Sequence, residues 1–221
     1  MGPVIGDLLP LAVGVALSPI PIVATILMIL SARGKGAAIG FATGWVLGIL
    51  VVTGVVTLFA GNLGGSDDSE PGAAAAWIKI VLGVLLVGLA VKQWQARSQT
   101  EVPGWMRAID TLTPVKATGL GALLSGVNPK NLLLCVSAGV AIGATGLGTG
   151  GALGAIVVFT VLASATVLTV VLGYLMAAER LGPALDRLRV WLQDNNHAVM
   201  AIVLLIMGAV VLGKGLGGLQ G

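Results

Sequence analysis

Charged residues are scarce in this sequence: they make up 10% of its 221 residues, whereas 57% of the residues are hydrophobic. Soluble domains usually carry about 25% charged residues. A water-soluble fold could not hide this much apolar surface, because the fraction of surface that a chain buries grows only slowly with its length. The scarcity of charge therefore excludes an ordinary soluble domain and indicates an integral membrane protein.

Cysteine and histidine are almost absent, with Cys135 and His197 as the single residue of each type. One thiol cannot form an internal disulfide or a relay pair, which excludes thiol-redox carrier chemistry. No apolar segment carries a central Asp or Glu, since Asp7 lies at the outer end of the first one. Metal sites need clustered carboxylates or several His and Cys ligands. We therefore expect no metal site, no cofactor and no transport of cations.

Six apolar segments have roughly the 20 residues that a membrane-spanning helix needs. They are 8–31, 36–60, 76–95, 117–145, 151–178 and 197–217. The N-terminal residues lack the basic region of a cleavable signal peptide, so the first segment is expected to stay in the mature protein. We predict an all-α integral membrane protein in which residues 1–221 form a single transmembrane domain with six helices.

The distribution of basic residues predicts how these segments are oriented. Nine Lys and Arg residues fall in connectors on one side of the membrane: Arg33, Lys35, Lys92, Arg97, Arg107, Lys116, Arg180, Arg187 and Arg189. The other side has only Lys79 and Lys214 at its edges, together with the acidic residues Asp67, Asp68 and Glu70. Because basic residues mark cytoplasmic loops, we predict that both termini are extracytoplasmic. Because this pattern explains where the basic residues lie, we expect no nucleic-acid partner.

Two of the cytoplasmic connectors show the apolar periodicity of interfacial helices. One covers residues 179–196, and the other lies within residues 96–115. The apolar positions are Leu181, Leu185, Leu188 and Leu192 in the first, and Trp105, Ile109 and Leu112 in the second. We expect both helices to lie along the membrane surface, with a regulatory or partner-binding helix as the alternative.

Prolines interrupt the first and the fourth apolar segments. The two sequences are Ser18-Pro19-Ile20-Pro21 and Asn128-Pro129-Lys130-Asn131. Proline costs about 3 kcal/mol inside a helix but is favoured at the first helical position, and Ser and Asn are good N-cap residues. We predict that the first and fourth helices are broken here and that a new half-helix begins at each break.

Aligning the two proline motifs divides the chain into two similar halves. Residues 7–95 form a first three-helix repeat, residues 116–217 form a second, and residues 96–115 connect them on the cytoplasmic side. Because three is an odd number of spans, the second half must enter the membrane from the opposite side. This is the inverted-repeat arrangement of many transporters, in which broken helices meet near the midplane.

The amino ends of two half-helices that meet near the midplane would attract an anion, because they are the positive ends of the helix dipoles. A lysine such as Lys130 at the centre of a span costs about 2.5–3.5 kcal/mol. With no carboxylate partner in the spans, Lys130 is predicted to contact an anionic group of the substrate. The alternative is that it contacts backbone carbonyls and only stabilises the break. The candidate substrate-binding residues are Ser18, Pro19, Pro21, Thr25, Asn128, Pro129, Lys130, Asn131 and Tyr174, and further cavity-facing candidates are Thr43, Thr160 and Ser164.

Glycines recur at positions 40, 44 and 48, a spacing that favours close packing of membrane helices. The stripe is compatible with packing inside the chain or with a homodimer, and we expect the former.

Ser125 and His197 are the residue types of a hydrolase Ser-His dyad. However, the glycine expected two residues before the serine is missing. Ser125 would lie about 13 Å below Lys116 at about 1.5 Å per residue, whereas His197 lies at the membrane surface. A nucleophile and its base must lie within about 3 Å of each other. We therefore do not expect an enzyme.

Three motifs resemble a known group of transporters: the opening run LPLAVGVALSPIPIVATILMILS, the glycine-aromatic pattern between Gly36 and Trp45, and NPKNLLL. With them the whole chain resembles the lysine-exporter (LysE) superfamily, and most of all the GAP (Sap) family of peptidoglycolipid-addressing proteins. The resemblance implies six spans in two repeats, a bacterial cytoplasmic membrane, and export of a cell-envelope lipid or assistance to that export. Related thiol-relay carriers have cysteines near the positions of Ser18 and Asn128.

Three functions are compatible with these observations. The first is a transporter, exporter or flippase for an anionic cell-envelope lipid or amphiphile. The second is an exporter of amino acids or other small solutes, whose carboxylate would suit the same site. The third is a non-transporting accessory protein for lipid export. The expected partners are membrane lipids and the anionic ligand, and further candidates are a second copy of the chain or other envelope-export proteins.

Overall fold

A computed structural model describes residues 2–31, 34–63, 71–98, 109 and 112–219. Within these ranges the chain is all-helical and has no strand, which confirms the predicted class. The helices are α1 (Gly2–Ala16), α2 (Pro19–Leu30), α3 (Gly34–Leu63), α4 (Pro71–Gln95), α5 (Pro114–Gly126), α6 (Pro129–Gly143), α7 (Thr149–Ala163), α8 (Ala165–Asp194) and α9 (Asn196–Gly217). The acidic connector at 64–70 and most of the connector at 96–115 lie outside the described residues.

Three helices in the described part of the chain are long and apolar enough to cross a membrane: α3, α4 and α9. Two bent pairs, α1 with α2 and α7 with α8, raise the number of candidate spans to five if each pair is counted as one. The protein is therefore a multi-pass membrane protein. The predicted fourth span is divided between α5 and α6, and α6 is an apolar helix shorter than a span, so six spans remain a prediction.

The first predicted break is confirmed. Helix α1 ends at Ala16, α2 begins at Pro19, and the two helices are bent by 52°. Ser18 is in an extended conformation before the proline, which occupies the first position of α2. Proline lacks the N–H that would continue the α1 hydrogen bonds, so the chain restarts as a new helix.

The second predicted break is also present. Helix α5 ends at Gly126, and α6 begins at Pro129 after the N-cap residue Asn128. The side chain of Asn128 accepts a hydrogen bond from the backbone N–H of Lys130 at 3.1 Å. This bond satisfies one of the amide groups that every helix leaves free at its amino end.

A third break was not predicted. Helices α7 and α8 are bent by 59° at Ser164, where no proline or glycine marks the sequence. Helix α8 has a second kink at Ala177, whose φ and ψ are −148° and 48°. Of the predicted interfacial helix at 179–196, residues 179–194 belong to the part of α8 beyond this kink, and Asn196 already begins α9. Its position at the membrane surface stays a prediction. On its apolar face Leu185 and Leu192 are buried, whereas Leu188 is exposed.

The helices pack in three groups: α3 lies against α5 and α6, the pair α7–α8 lies against α1–α2, and α4 lies against α9. Glycines set the closest approaches. A side chain at Gly44 would collide with the carbonyl of Thr118 in α5, and one at Gly83 would meet Leu212 in α9. Gly40 and Gly48 also face α5, so the predicted glycine stripe packs within the chain.

Candidate functional site

The two proline breaks meet in the interior of the protein. Lys130 donates a hydrogen bond from its Nζ to the Oγ of Ser18, at 2.9 Å. The Ser18 Oγ also lies 3.0 Å from the Oδ1 of Asn131 and 2.7 Å from the carbonyl oxygen of Val15. Ser18 and Lys130 are each 2% exposed, and Asn131 is fully buried. The structure therefore joins residues that are more than one hundred positions apart into one polar cluster.

Lys130 is the unusual member of this cluster. An ammonium group has three N–H donors, and buried charges are normally paired. Among the described residues Lys130 forms no ion pair, and Ser18 is its one hydrogen-bond acceptor. Two of its donors thus have no acceptor in the described part of the chain. The arrangement leaves positive charge that an anionic group could neutralise.

Asn131 connects the two helices of the second break. Its Nδ2 donates to the carbonyl oxygen of Leu124 at 3.0 Å, near the end of α5. That carbonyl belongs to the last turn of a helix, whose acceptors have no partner within the helix. Because the Asn131 Oδ1 faces Ser18, this one side chain connects the end of α5 to the first break.

Ser18 lies at the N-cap position of α2, as predicted, but its hydroxyl does not cap the helix. The hydroxyl instead contacts Val15 and the Lys130–Asn131 pair. Pro19 and Pro21 provide no N–H groups. The amino end of α2 therefore offers fewer donors to a ligand than the sequence suggested, and Lys130 supplies most of the positive charge at the site.

The unpredicted third break also contacts this region. Thr166, at the start of α8, donates from its Oγ1 to the carbonyl oxygen of Ala16 at 2.6 Å. Ala16 is the last residue of α1, so the bond satisfies a helix-end acceptor at the first break. The buried hydroxyls of Thr160 and Ser164 lie nearby in sequence and have no hydrogen-bond partner among the described residues. Thr166 was not among the predicted site residues, although it lies two residues after Ser164.

The remaining predicted site residues lie in different surroundings. Thr25 is fully buried, and its hydroxyl donates to the carbonyl of Pro21 within the same helix. Tyr174 is half-buried in α8. Thr43 is exposed, and its hydroxyl donates to the carbonyl of Ile39 within the same helix, so its place in a cavity wall stays a prediction. Pro19 is buried, and Pro129 is exposed at the first position of α6.

Ser125, His197 and Cys135, the residues considered for hydrolase or thiol chemistry, lie in separate surroundings. Ser125 donates to the carbonyl of Ala122 at 3.1 Å. His197 lies 2.6 Å from the side-chain oxygen of Gln93, where α9 meets α4. Cys135 is a buried free thiol. In the residues that the structure describes, no group of His, Cys, Asp and Glu side chains could hold a metal ion.

Comparison with known proteins gives one match. The family model described as Sap, sulfolipid-1-addressing protein, matches residues 8–217 and thus nearly the whole chain. No curated protein and no solved structure matches it. The family match covers all three breaks and every residue of the polar cluster around Lys130. The chain therefore belongs to the Sap (sulfolipid-1-addressing protein) family.

Proposed function

We propose that this protein moves an anionic cell-envelope lipid or amphiphile across the membrane and holds its headgroup at the two proline breaks. The family description names a sulfolipid, which supports a role in lipid addressing or export. A sulfate or phosphate group would supply the negatively charged partner that Lys130 lacks in this structure. The observation that carries the proposal is the buried ammonium of Lys130, bonded to one neutral hydroxyl.

The proposed binding step is an exchange of partners. In the present conformation Lys130 is almost completely buried, so the site is closed. We infer that opening exposes Lys130 and lets an anionic oxygen take the place of the Ser18 hydroxyl. A charge-assisted hydrogen bond is roughly twice as strong as a neutral one, so the exchange favours an anion over water or a hydroxyl. Asn131 and Asn128 would keep the break rigid during the exchange.

The proposed architecture is two inverted three-helix repeats with six spans, as in the lysine-exporter superfamily. The helix packing supports it, because the second predicted span of each half lies against the broken first span of the other half. The pairs are α3 with α5–α6, and α7–α8 with α1–α2. Rocking of one half against the other would then expose Lys130 to alternate sides of the membrane. Both termini are placed outside the bacterial cytoplasmic membrane by the positive-inside pattern.

A reconstitution experiment tests this proposal. Proteoliposomes carrying a fluorescent phosphatidylglycerol would be treated with a membrane-impermeant quencher, which reports how fast the lipid changes leaflet. We expect wild-type protein to accelerate the movement of phosphatidylglycerol more than that of phosphatidylcholine. Lys130→Gln should slow it by about tenfold or more, since it removes a charged hydrogen bond. Lys92→Gln, on the exposed end of α4, is the matched control and should leave the rate unchanged.

The same vesicles separate the alternatives. If phosphatidylglycerol does not move but a loaded radiolabelled amino acid leaves wild-type vesicles faster than Lys130→Gln vesicles, the protein is a small-solute exporter. If neither ligand moves, a non-transporting accessory role takes the place of the proposal.

A further inference from the structure

A pocket with positive charge lies away from the proline breaks. It is formed between α1, α4, α6 and α9, near the beginning of α1 and the end of α9. Its polar lining residues are Asp7, Lys79, Ser137 and Lys214. The distribution of basic residues predicts that this end of the molecule is extracytoplasmic. Neither the family description nor the proposed midplane site assigns a role to this pocket.

The charges in the pocket are not balanced. Lys214 forms an ion pair with Asp7, with 2.8 Å between its Nζ and the Asp7 Oδ1, and also donates to the Asp7 backbone carbonyl at 3.1 Å. Lys79 has no hydrogen bond or ion pair with any described residue. Two ammonium groups and one carboxylate leave one net positive charge. The Ser137 hydroxyl donates to Leu133 at 2.8 Å, so the lysines are the available donors.

The remaining walls of the pocket are apolar. They are formed by Leu11, Ala141 and Val211, which are all buried. Trp77 lies two residues before Lys79 in α4 and is 58% exposed. Tryptophan is enriched at the level of the lipid headgroups, and lysine keeps its ammonium near that level while its stem lies along apolar surface. The pocket thus combines cationic groups with an apolar wall. Trp77 does not line it and lies on another face of the same turn of α4, where it marks the level of the lipid headgroups.

We propose that the phosphate or sulfate headgroup of an anionic membrane lipid binds at the open mouth of this pocket, with Lys79 as the main contact and Lys214 as a second donor. The apolar walls favour a lipid over a free inorganic anion, since an inorganic anion would gain nothing from them. This inference goes beyond the proposed function because the pocket requires no movement of the lipid. If the lipid is also transported, the pocket is a binding site at the extracytoplasmic end of the transport path.

The test measures lipid affinity in a background that lacks the midplane lysine. Lys130→Gln protein in neutral detergent would be titrated with short-chain phosphatidylglycerol, and the apparent Kd measured by microscale thermophoresis. Adding Lys79→Gln should weaken binding by about tenfold, because it removes a hydrogen bond to a charged group. Lys79→Arg keeps the charge, and Lys92→Gln changes a lysine at the other end of the same helix. Both should stay within about twofold of the background, the effect of an ordinary surface substitution.

Three further measurements test the pairing of charges and the class of ligand. Asp7→Asn frees Lys214 and should tighten phosphatidylglycerol binding, whereas weaker binding would contradict the pairing of charges proposed here. Phosphatidylcholine should bind weakly and independently of Lys79. If sodium sulfate displaces phosphatidylglycerol at concentrations as low as those of the lipid, the site binds a free anion and the lipid assignment is wrong.

Equal affinity in the Lys79→Gln and Lys92→Gln proteins would overturn the proposal. The acidic residues Asp67, Asp68 and Glu70 precede α4 and lie outside the described residues. Replacing all three by their amides should preserve or tighten phosphatidylglycerol binding, because carboxylates repel an anionic headgroup, and weaker binding would contradict the proposal. These outcomes are independent of the lipid-movement assay on Lys130, so either inference can fail alone.

Discussion

The Nζ of Lys130 lies 2.9 Å from the Oγ of Ser18, which precedes it by 112 residues in the chain. Each residue belongs to a proline break, and each is almost completely buried. The contact shows that the two breaks face each other, and it places a cation against a neutral partner where a charged one is expected. The proposed binding of an anion at Lys130 depends on this relationship.

Removing the buried charge should stabilise the protein while abolishing its function. The ammonium of Lys130 is desolvated and has one neutral acceptor. An uncharged side chain of similar volume removes the desolvation penalty of a buried ion, which is on the order of several kcal/mol. Lys130→Met should therefore raise the thermal unfolding temperature in detergent by several degrees, measured by intrinsic tryptophan fluorescence. Lys92→Met, at an exposed position of α4, should leave it unchanged. A lower unfolding temperature for Lys130→Met would mean that Lys130 stabilises the break.

Ser18 and Lys130 should be energetically coupled. Ser18→Ala removes the acceptor of Lys130 and a contact with Asn131, and should reduce the free energy of unfolding by about 1–3 kcal/mol. In the Lys130→Met background the same change should cost less, because no ammonium is left without an acceptor. A double-mutant cycle measured by chemical denaturation gives the coupling energy, which we expect to be about 0.5–3 kcal/mol. Additive effects would contradict a direct interaction.

Thr166 should stabilise the junction of the first and third breaks. Thr166→Val removes the hydroxyl that donates to Ala16 and should cost about 0.6–1.7 kcal/mol, the range for hydrogen bonds between membrane helices. Thr169→Val is the matched control on the same helix, since Thr169 is exposed. Thermal unfolding curves of the two variants should differ, and equal curves would show that the Thr166 bond contributes nothing.

Gly44 should be intolerant of any side chain. A Cβ there would overlap the backbone carbonyl of Thr118, which cannot move without displacing α5. Overpacking typically costs about 1–3 kcal/mol, so Gly44→Ala should be destabilised and Gly44→Val more so. Gly54→Ala, on the same helix with open space around it, is the control. Detergent-solubilised size-exclusion profiles after heating would compare them, and equal recovery would place α3 and α5 further apart.

The features that could be predicted from the sequence are those with a local chemical signal. Prolines at positions 19 and 129 predicted the two breaks, because a residue without an N–H cannot continue a helix. The cost of placing a lysine in a membrane span indicated Lys130 as a candidate site residue. The glycine spacing around Gly44 predicted a close helix contact within the chain.

Other features depend on tertiary contacts that leave no local pattern. The bend at Ser164 contains neither proline nor glycine, and it is stabilised partly by the bond from Thr166 to the end of another helix. The role of Ser18 also differs from the local expectation. An N-cap serine usually bonds its own helix, but this one contacts Lys130 and Asn131 instead, since those groups are buried and need partners.

Native mass spectrometry of the gently solubilised protein, wild type beside Lys130→Ala, tests the central claim most directly. If Lys130 holds an anionic headgroup at the proline breaks, the wild type should retain at least one more anionic lipid than the variant, with zwitterionic lipids unchanged. The same number and class of bound lipids in both proteins would contradict the account and assign Lys130 a structural role in the break.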